Sequence, residues 1–370
     1  MNNSFTKLLA YVGLLAATGC VDLYRPPEIV SPDNYLVVNG FFNSAPGTTS
    51  TIRLTRTQNL SETKAPVAET KAQVTIENQT KAVYPFTEGN AGTYTLAGVT
   101  PRVGDTYRLH IRTAKGTDYY SDYVPVVQTP PIDSLSWRVQ SDGVQINLNT
   151  HDPTNNTRFY RWEYDVTWEH RAPFFAYLEL KNNEIVPRAE LIYQCWSTEN
   201  STSIITTSTK RLSNDVVSQF PLVFVPSTSP RLTYKYSILV RQIGLTQAGY
   251  TYYDQLGKLT QNIGSIFDPQ PAQVTGNIRS TSNPADLVMG FFRVGSIETK
   301  RLFIASTQLP NWPNLPGIGD CALVDMSEAE IRRLRPAVVS FQEGTYQTST
   351  VECIDCRLKG GTNKQPDFWK

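Results

Sequence analysis

The sequence predicts a mainly β protein: an N-terminal immunoglobulin- or prealbumin-like β-sandwich, then a larger antiparallel β domain carrying one packed helix. Three observations predict it. Apolar and polar residues alternate in short runs, the period of a strand with one buried face. Tyrosine is abundant, at 19 in 370 residues, and aromatic side chains suit a pleated, half-buried surface. Clusters of Gly, Pro, Asn and Asp cut the runs at short intervals, as in all-β domains.

The first element is a leader. Lys7 precedes an apolar run from Leu8 to Ala17. A bilayer span takes roughly 20 residues, whereas the core of a signal peptide takes about 7–15. Ala16, Ala17, Thr18 and Gly19 then precede Cys20. Small residues directly before a cysteine resemble a lipobox, here with Ala17 where leucine is commoner. Residues 1–19 are therefore expected to be removed as a signal peptide, leaving Cys20 acylated, with palmitate as a marker of the modification. Each buried methylene adds about 0.8 kcal/mol of membrane affinity. Residues 20–34 read as a tether, because Pro26, Pro27 and Pro32 favour an extended chain.

Residues 35–128 read as the sandwich. Ile52 and Leu54 alternate with Arg53 and Thr55; Val74 and Ile76 with Thr75 and Glu77; Tyr107, Leu109 and Ile111 with Arg108 and His110. Pro130-Pro131 marks the boundary, since paired prolines do not sit in a central strand. Residues 132–370 read as the second β-rich domain with a disulfide-stapled C-terminal block. Its strands show an aromatic stripe, Tyr160, Trp162, Tyr164, Val166 and Trp168, and a second run, Leu232, Tyr234, Tyr236, Ile238 and Val240. Both stripes read as core. Tyr250, Tyr253, Leu256, Leu259 and Ile263 recur at helical spacing, and Ser327 with Glu330 forms a capping box for a short helix over 328–334.

Once Cys20 is assigned to lipid, Cys195, Cys321, Cys353 and Cys356 remain. An even number outside the cytoplasm reads as two disulfides. Cys353-x-x-Cys356 lacks the following helix of a redox motif and the further ligands of a zinc site. A bond within it would close a very small loop, so the two connectivities that join both of these cysteines to Cys195 and Cys321 are favoured, with no choice between them.

The formal net charge is +1 with no basic block, which argues against nucleic acid. The three histidines, His110, His151 and His170, do not form a metal motif, and no nucleophile elbow or phosphate loop occurs. No enzymatic activity, cofactor or metal is expected. Tyr119, Tyr120, Phe174, Phe175 and Tyr177 are candidate binding aromatics, because exposed aromatics mark interfaces.

The lipobox followed by Y-L-V-V-N-G (35–40), the block Pro101–Ile111, the segment Phe267–Ile278 with Met289-Gly290-Phe291-Phe292 behind it, and Cys353–Trp369 together resemble the domain-of-unknown-function 4249 family of Bacteroidota outer-membrane lipoproteins. The resemblance implies no catalytic residues, and a gene setting beside TonB-dependent transporters. The expectation is a non-catalytic outer-membrane lipoprotein, on the surface or the periplasmic face, serving as a binding or accessory subunit of such a transporter. A structural or assembly lipoprotein without a small ligand is the alternative, and a glycan-active enzyme a third. Replacing Cys20 by Ser is expected to abolish acylation and yield soluble protein or unprocessed precursor; continued palmitate labelling of that variant would refute the assignment.

Overall fold

The computed structural model describes residues 34–58, 62–261, 274–312 and 320–370. The expected signal peptide, Cys20, nearly all of the tether, Ile263 and the stretch Phe267–Gln273 lie outside the described residues. The rest is mainly antiparallel β-structure.

The first sandwich uses β1 (Leu36–Asn43), β2 (Ser50–Arg56), β3 (Gln73–Asn78), β4 (Val83–Pro85), β5 (Thr87–Glu88), β6 (Thr93–Leu96), β7 (Thr106–Arg112), β8 (Asp118–Ser121) and β9 (Val124–Val127). One layer runs β1-β2-β6-β5 and the other is centred on β7, paired with β3, β8 and β9. Strand alternation decides what enters the space between them. Leu36, Ile52, Leu54, Ile76, Leu109 and Ile111 are fully buried there, while Arg53, Thr75 and Arg108 point away from that core.

The second sandwich opposes two sheets. One holds β10 (Ile132–Gln140), β11 (Gly143–Asp152) and β17 (Asp215–Pro226). The other centres on β12 (Phe159–Arg171), flanked by β15 (Gln194–Asn200) and β16 (Ile205–Ser208) on one edge and by β18 (Lys235–Gly244), then β22 (Glu298–Ala305), on the other. The hairpin β13 (Leu178–Lys181) and β14 (Glu184–Pro187) projects from it. The aromatic stripe is core: Tyr160 and Trp162 are fully buried, beside Ile146, Leu148 and Tyr236. The indole of Trp162 donates to Gln242 Oε1 (2.9 Å). Gln242 Nε2 in turn donates to the Pro130 carbonyl (2.7 Å) and Thr150 Oγ1 (2.9 Å), fixing the interdomain linker to this core. The run expected as a strand from Leu232 begins only at Lys235, because Ser229 caps a 3₁₀ turn over Pro230–Leu232. Helix α1 (Gln247–Gln261) has the expected place, but its fully buried residues are Gly249 and Gly257. Tyr250, Tyr253, Leu256 and Leu259 are only half-buried, since the small residues let the helix backbone approach Phe291 and Ile204 closely.

One segment departs from the division expected at Pro130-Pro131. Strands β19 (Ile278–Ser280), β20 (Val288–Met289) and β21 (Val294–Gly295) follow α1 in sequence but join the first sandwich. β19 extends β8; β20 and β21 run parallel to β1, and β21 also pairs with β9, linking the two layers. Ile278, Val288, Phe292 and Val294 complete the first core. These strands are too short for alternation to reveal their partner.

The C-terminal block comprises β23 (Val324–Met326), α2 (Glu328–Leu334), β24 (Ala337–Gln342) and β25 (Thr345–Ser349), followed by 3₁₀ turns. The capping box on α2 is formed by Ser327 and Glu330, and Arg335 ends the helix in a left-handed conformation. The disulfides take one crossed arrangement, Cys195–Cys356 and Cys321–Cys353. Each has a Cα separation of 5.7 Å, within the range that a disulfide bridges. At the end of the tail, Trp369 is buried edge-on against Phe303 of β22 (5.6 Å), and Arg301 lies 3.5 Å over Phe368.

Gly290 tests the return crossing. Its φ is +126°, and a Cβ there would stand 2.1 Å from the Val38 carbonyl oxygen of β1. Gly290→Val is expected to destabilise the chain by on the order of 2–4 kcal/mol, through backbone strain plus displacement of β1. Gly47→Ala, also at positive φ (+70°) but with nothing within 4 Å of the added Cβ, is expected to cost about 1 kcal/mol. Denaturant midpoints at equal slope check the ranking.

Candidate functional site

The five aromatics singled out from sequence have different fates. In β8 the alternation turns Tyr119 inward, where it is 2% exposed and its hydroxyl donates to Asp286, so it presents nothing at the surface. Tyr120 points outward, stacked on His110 at 4.1 Å beneath the Arg108 guanidinium at 4.5 Å. Phe174 folds back onto a small core of Ala176, Ile192, Ala337, Val339 and Ile354, and its amide donates to the Cys353 carbonyl (2.9 Å). Phe175 and Tyr177 remain exposed, at 47% and 45%, because in the irregular run between β12 and β13 successive side chains alternate between that small core (Phe174, Ala176) and solvent. Their rings lie 6.5 Å apart, with Tyr193 edge-on to Phe175 at 5.3 Å.

Exposed apolar side chains are frequent in the two stapled segments. Of the eighteen large apolar side chains exposed among the described residues, nine lie on 172–193 or 320–370: Phe175, Tyr177, Leu191, Leu323, Val324, Leu334, Phe341, Val351 and Leu358. The backbone beneath is held firmly. The Tyr177 amide donates to Val339 of β24 (3.1 Å) and the Phe174 amide to Cys353, which is bonded to Cys321. Arg357 adds hydrogen bonds to Asp355 and Glu190. That ion pair, first through the Asp355 hydrogen bond, raises the Arg357 pKa above its ordinary value. Sequence reasoning missed Leu191, Tyr193 and Phe341: Phe341 is an apolar residue in a short strand, which reads as core whichever face it occupies, and Leu191 and Tyr193 lie in the irregular run ahead of β15, where no period marks a face.

The histidines occupy polar networks. His110 Nε2, on the outward face of β7, donates to Asp118 (2.8 Å). His151 Nδ1 donates to Asp133 (2.8 Å), and that hydrogen bond raises its pKa. His170 Nε2 meets Ser197 Oγ at 2.9 Å. Ser197 gives its only hydroxyl proton to the Gly360 carbonyl (2.7 Å), so it must accept from His170 Nε2–H. That leaves Nδ1 buried and unpartnered. Desolvation pushes the His170 pKa down, as expected where protonation would add a buried donor without an acceptor.

Residues 22–301 match a family model described as Domain of unknown function (DUF4249). The chain belongs to the DUF4249 family. The matched span of this DUF4249 protein ends within β22, so the C-terminal block from residue 320 lies beyond it, while Phe175, Tyr177 and Cys195 lie within it. No curated protein matches. Among solved structures, the chitinase ChiA74 from Bacillus thuringiensis aligns at 12% identity over 52% of this chain and 28% of its own, with a TM-score of 0.17. The chain therefore spans less than a third of the chitinase's length, and a likeness of that score supports neither a fold nor an activity.

His170 yields a pH prediction. Its folded pKa lies below its unfolded value, about 6.5, so acid favours the unfolded chain. The stability it contributes is present above that pH and is lost as pH falls through the folded pKa. Gln at position 170 keeps a donor for Ser197 but cannot titrate. The difference in unfolding free energy between wild type and His170→Gln is expected to be flat above about pH 7 and to shift against wild type below about pH 6; a difference constant with pH would refute this.

Proposed function

We propose that this protein is a non-catalytic outer-membrane lipoprotein, anchored through Cys20, which acts as a binding or accessory subunit beside a TonB-dependent transporter. The observation that carries the reading is the exposed aromatic pair Phe175 and Tyr177, held by the stapled segments. An exposed aromatic pair on a rigid support suits association with another protein, because exposed aromatic side chains dominate such contacts. Two disulfides and Arg357 hold that support at little entropic cost to a partner. The use of His110, His151 and His170 in local networks favours binding over catalysis. The long extended tether read from the sequence suits a module held away from its lipid.

The test is recovery of a partner from native membranes. A tagged full-length chain, extracted in mild detergent, is expected to bring down a large β-barrel protein. Phe175→Ala with Tyr177→Ala should reduce that recovery about tenfold or more, as for loss of central aromatic anchors, without changing the melting temperature. Recovery of the lipoprotein alone would favour the structural or assembly reading. Turnover of a polysaccharide by the purified chain, lost on replacing one carboxylate, would favour the glycan-active one.

A further inference from the structure

A second feature lies far from that surface, where the return segment passes between the two sandwiches. Phe292 and Val294 point into the first core, so alternation sends Phe291 and Arg293 the other way, toward the second domain. There a cavity of about 320 Å³ is bounded by Phe41 of β1, Arg161 and Glu163 of β12, Tyr252 and Tyr253 of α1, and Arg293. Four separate parts of the chain thus meet around one space, which is small but near the range of small-molecule sites.

Its walls are aromatic and its charge is unbalanced. Arg293 is buried and stacks 3.7 Å over Phe41, but its Nη1 has no hydrogen-bond acceptor. Among the described residues no carboxylate lies within ion-pairing distance of it. Arg161 stacks 4.0 Å over Tyr253 and is paired with Glu163, yet its buried Nε is also without an acceptor. Arg241, the neighbouring cation on β18, is already held by both carboxylate oxygens of Asp165. One positive charge is therefore left over. Desolvation lowers the Arg293 pKa to about 10, which still leaves it protonated at neutral pH. A buried cation with a donor that lacks an acceptor is costly, and the stacking on Phe41 offsets only part of that cost.

We propose that this interdomain cavity binds a small monocarboxylate, with Arg293 and Arg161 donating to the carboxylate and the aromatic rings enclosing an apolar body. A guanidinium fork matches a planar carboxylate in two parallel hydrogen bonds. A single excess charge selects a monoanion over a phosphate dianion, and four aromatic walls (Phe41, Tyr252, Tyr253 and Phe291) select an apolar body over a hydrated one. The inference goes beyond the docking role and is independent of it, since neither the stapled block nor a membrane partner takes part.

Benzoate and phenylacetate are the probes, added to the full-length chain in detergent at constant ionic strength, with benzyl alcohol and inorganic phosphate as controls. At least one carboxylate is expected to raise the melting temperature in a saturable way, because a ligand that binds only the folded state stabilises it. Benzyl alcohol should give no such shift, and phosphate a smaller one. Arg293→Met keeps an apolar stem for Phe41 and removes the charge; it should raise the apparent Kd by about tenfold or more. Arg161→Gln is the second variant, with a weaker loss expected, and it carries the test if Arg293→Met does not fold. No shift with either carboxylate, an equal shift with benzyl alcohol, or undiminished affinity in every variant that folds would overturn the proposal and leave Arg293 as a clamp between domains.

Discussion

The passage of residues 277–295 back through the first sandwich constrains everything around it. β21 lies between β1 and β9 and hydrogen-bonds to both, so the first domain's two layers are linked by residues that follow most of the second domain in sequence. Phe292 and Val294 fill the core behind it, and the Asn277 side chain donates to the Phe292 carbonyl and accepts from its amide. The chain therefore crosses between domains at the linker and again at each end of the return segment. Around the first crossing, Thr129 donates its amide to Ser296 Oγ and its hydroxyl to the Ser296 carbonyl, and its hydroxyl oxygen accepts from the Gly244 amide, so linker, return segment and second sheet are joined at one point. Separating the domains would expose an incomplete core on one side and unpaired strand edges on the other.

The same crossing explains why a charged residue is buried between the domains. The segment must present one face to the first core, and strand alternation gives it a second face that only the other domain can cover. Phe291 on that face packs against Tyr252 at 5.4 Å, and Arg293 lies beside it. Burial of the guanidinium follows from where the backbone runs, and a local sequence pattern has no access to that path.

The C-terminal block is held differently. The core it shares with residues 174–192 is five small or medium side chains, two of them (Ala176 and Ile192) from that segment, too little apolar area to order some fifty residues unaided. The disulfides span 161 and 32 residues, which in loop-entropy terms constrains the unfolded chain by about 5 and 4 kcal/mol if each acted alone. A domain stapled in this way does not have to bury all its apolar residues, which leaves Phe175, Tyr177 and Phe341 available at the surface.

Much of the fold was legible in the sequence because strand alternation is local. The inward sets in β2, β3 and β7, the aromatic core of β12, the capping box at Ser327 and the helix beginning at Gln247 all follow from spacing alone. Of the candidate aromatics, the spacing could not separate Phe175 and Tyr177, which are exposed, from Tyr119 and Phe174, which are not. Alternation says that one face is buried but not which element covers it. The sequence by itself determined the class of structure, the strand faces and the presence of two distant disulfides. Tertiary structure alone decided which cysteines pair, that residues 277–295 belong to the first sandwich, and that Arg293 shares a cavity with Arg161. Each of those depends on contacts between residues far apart in the chain, whose pairing is set by the summed packing of both domains and leaves no periodic trace in either partner.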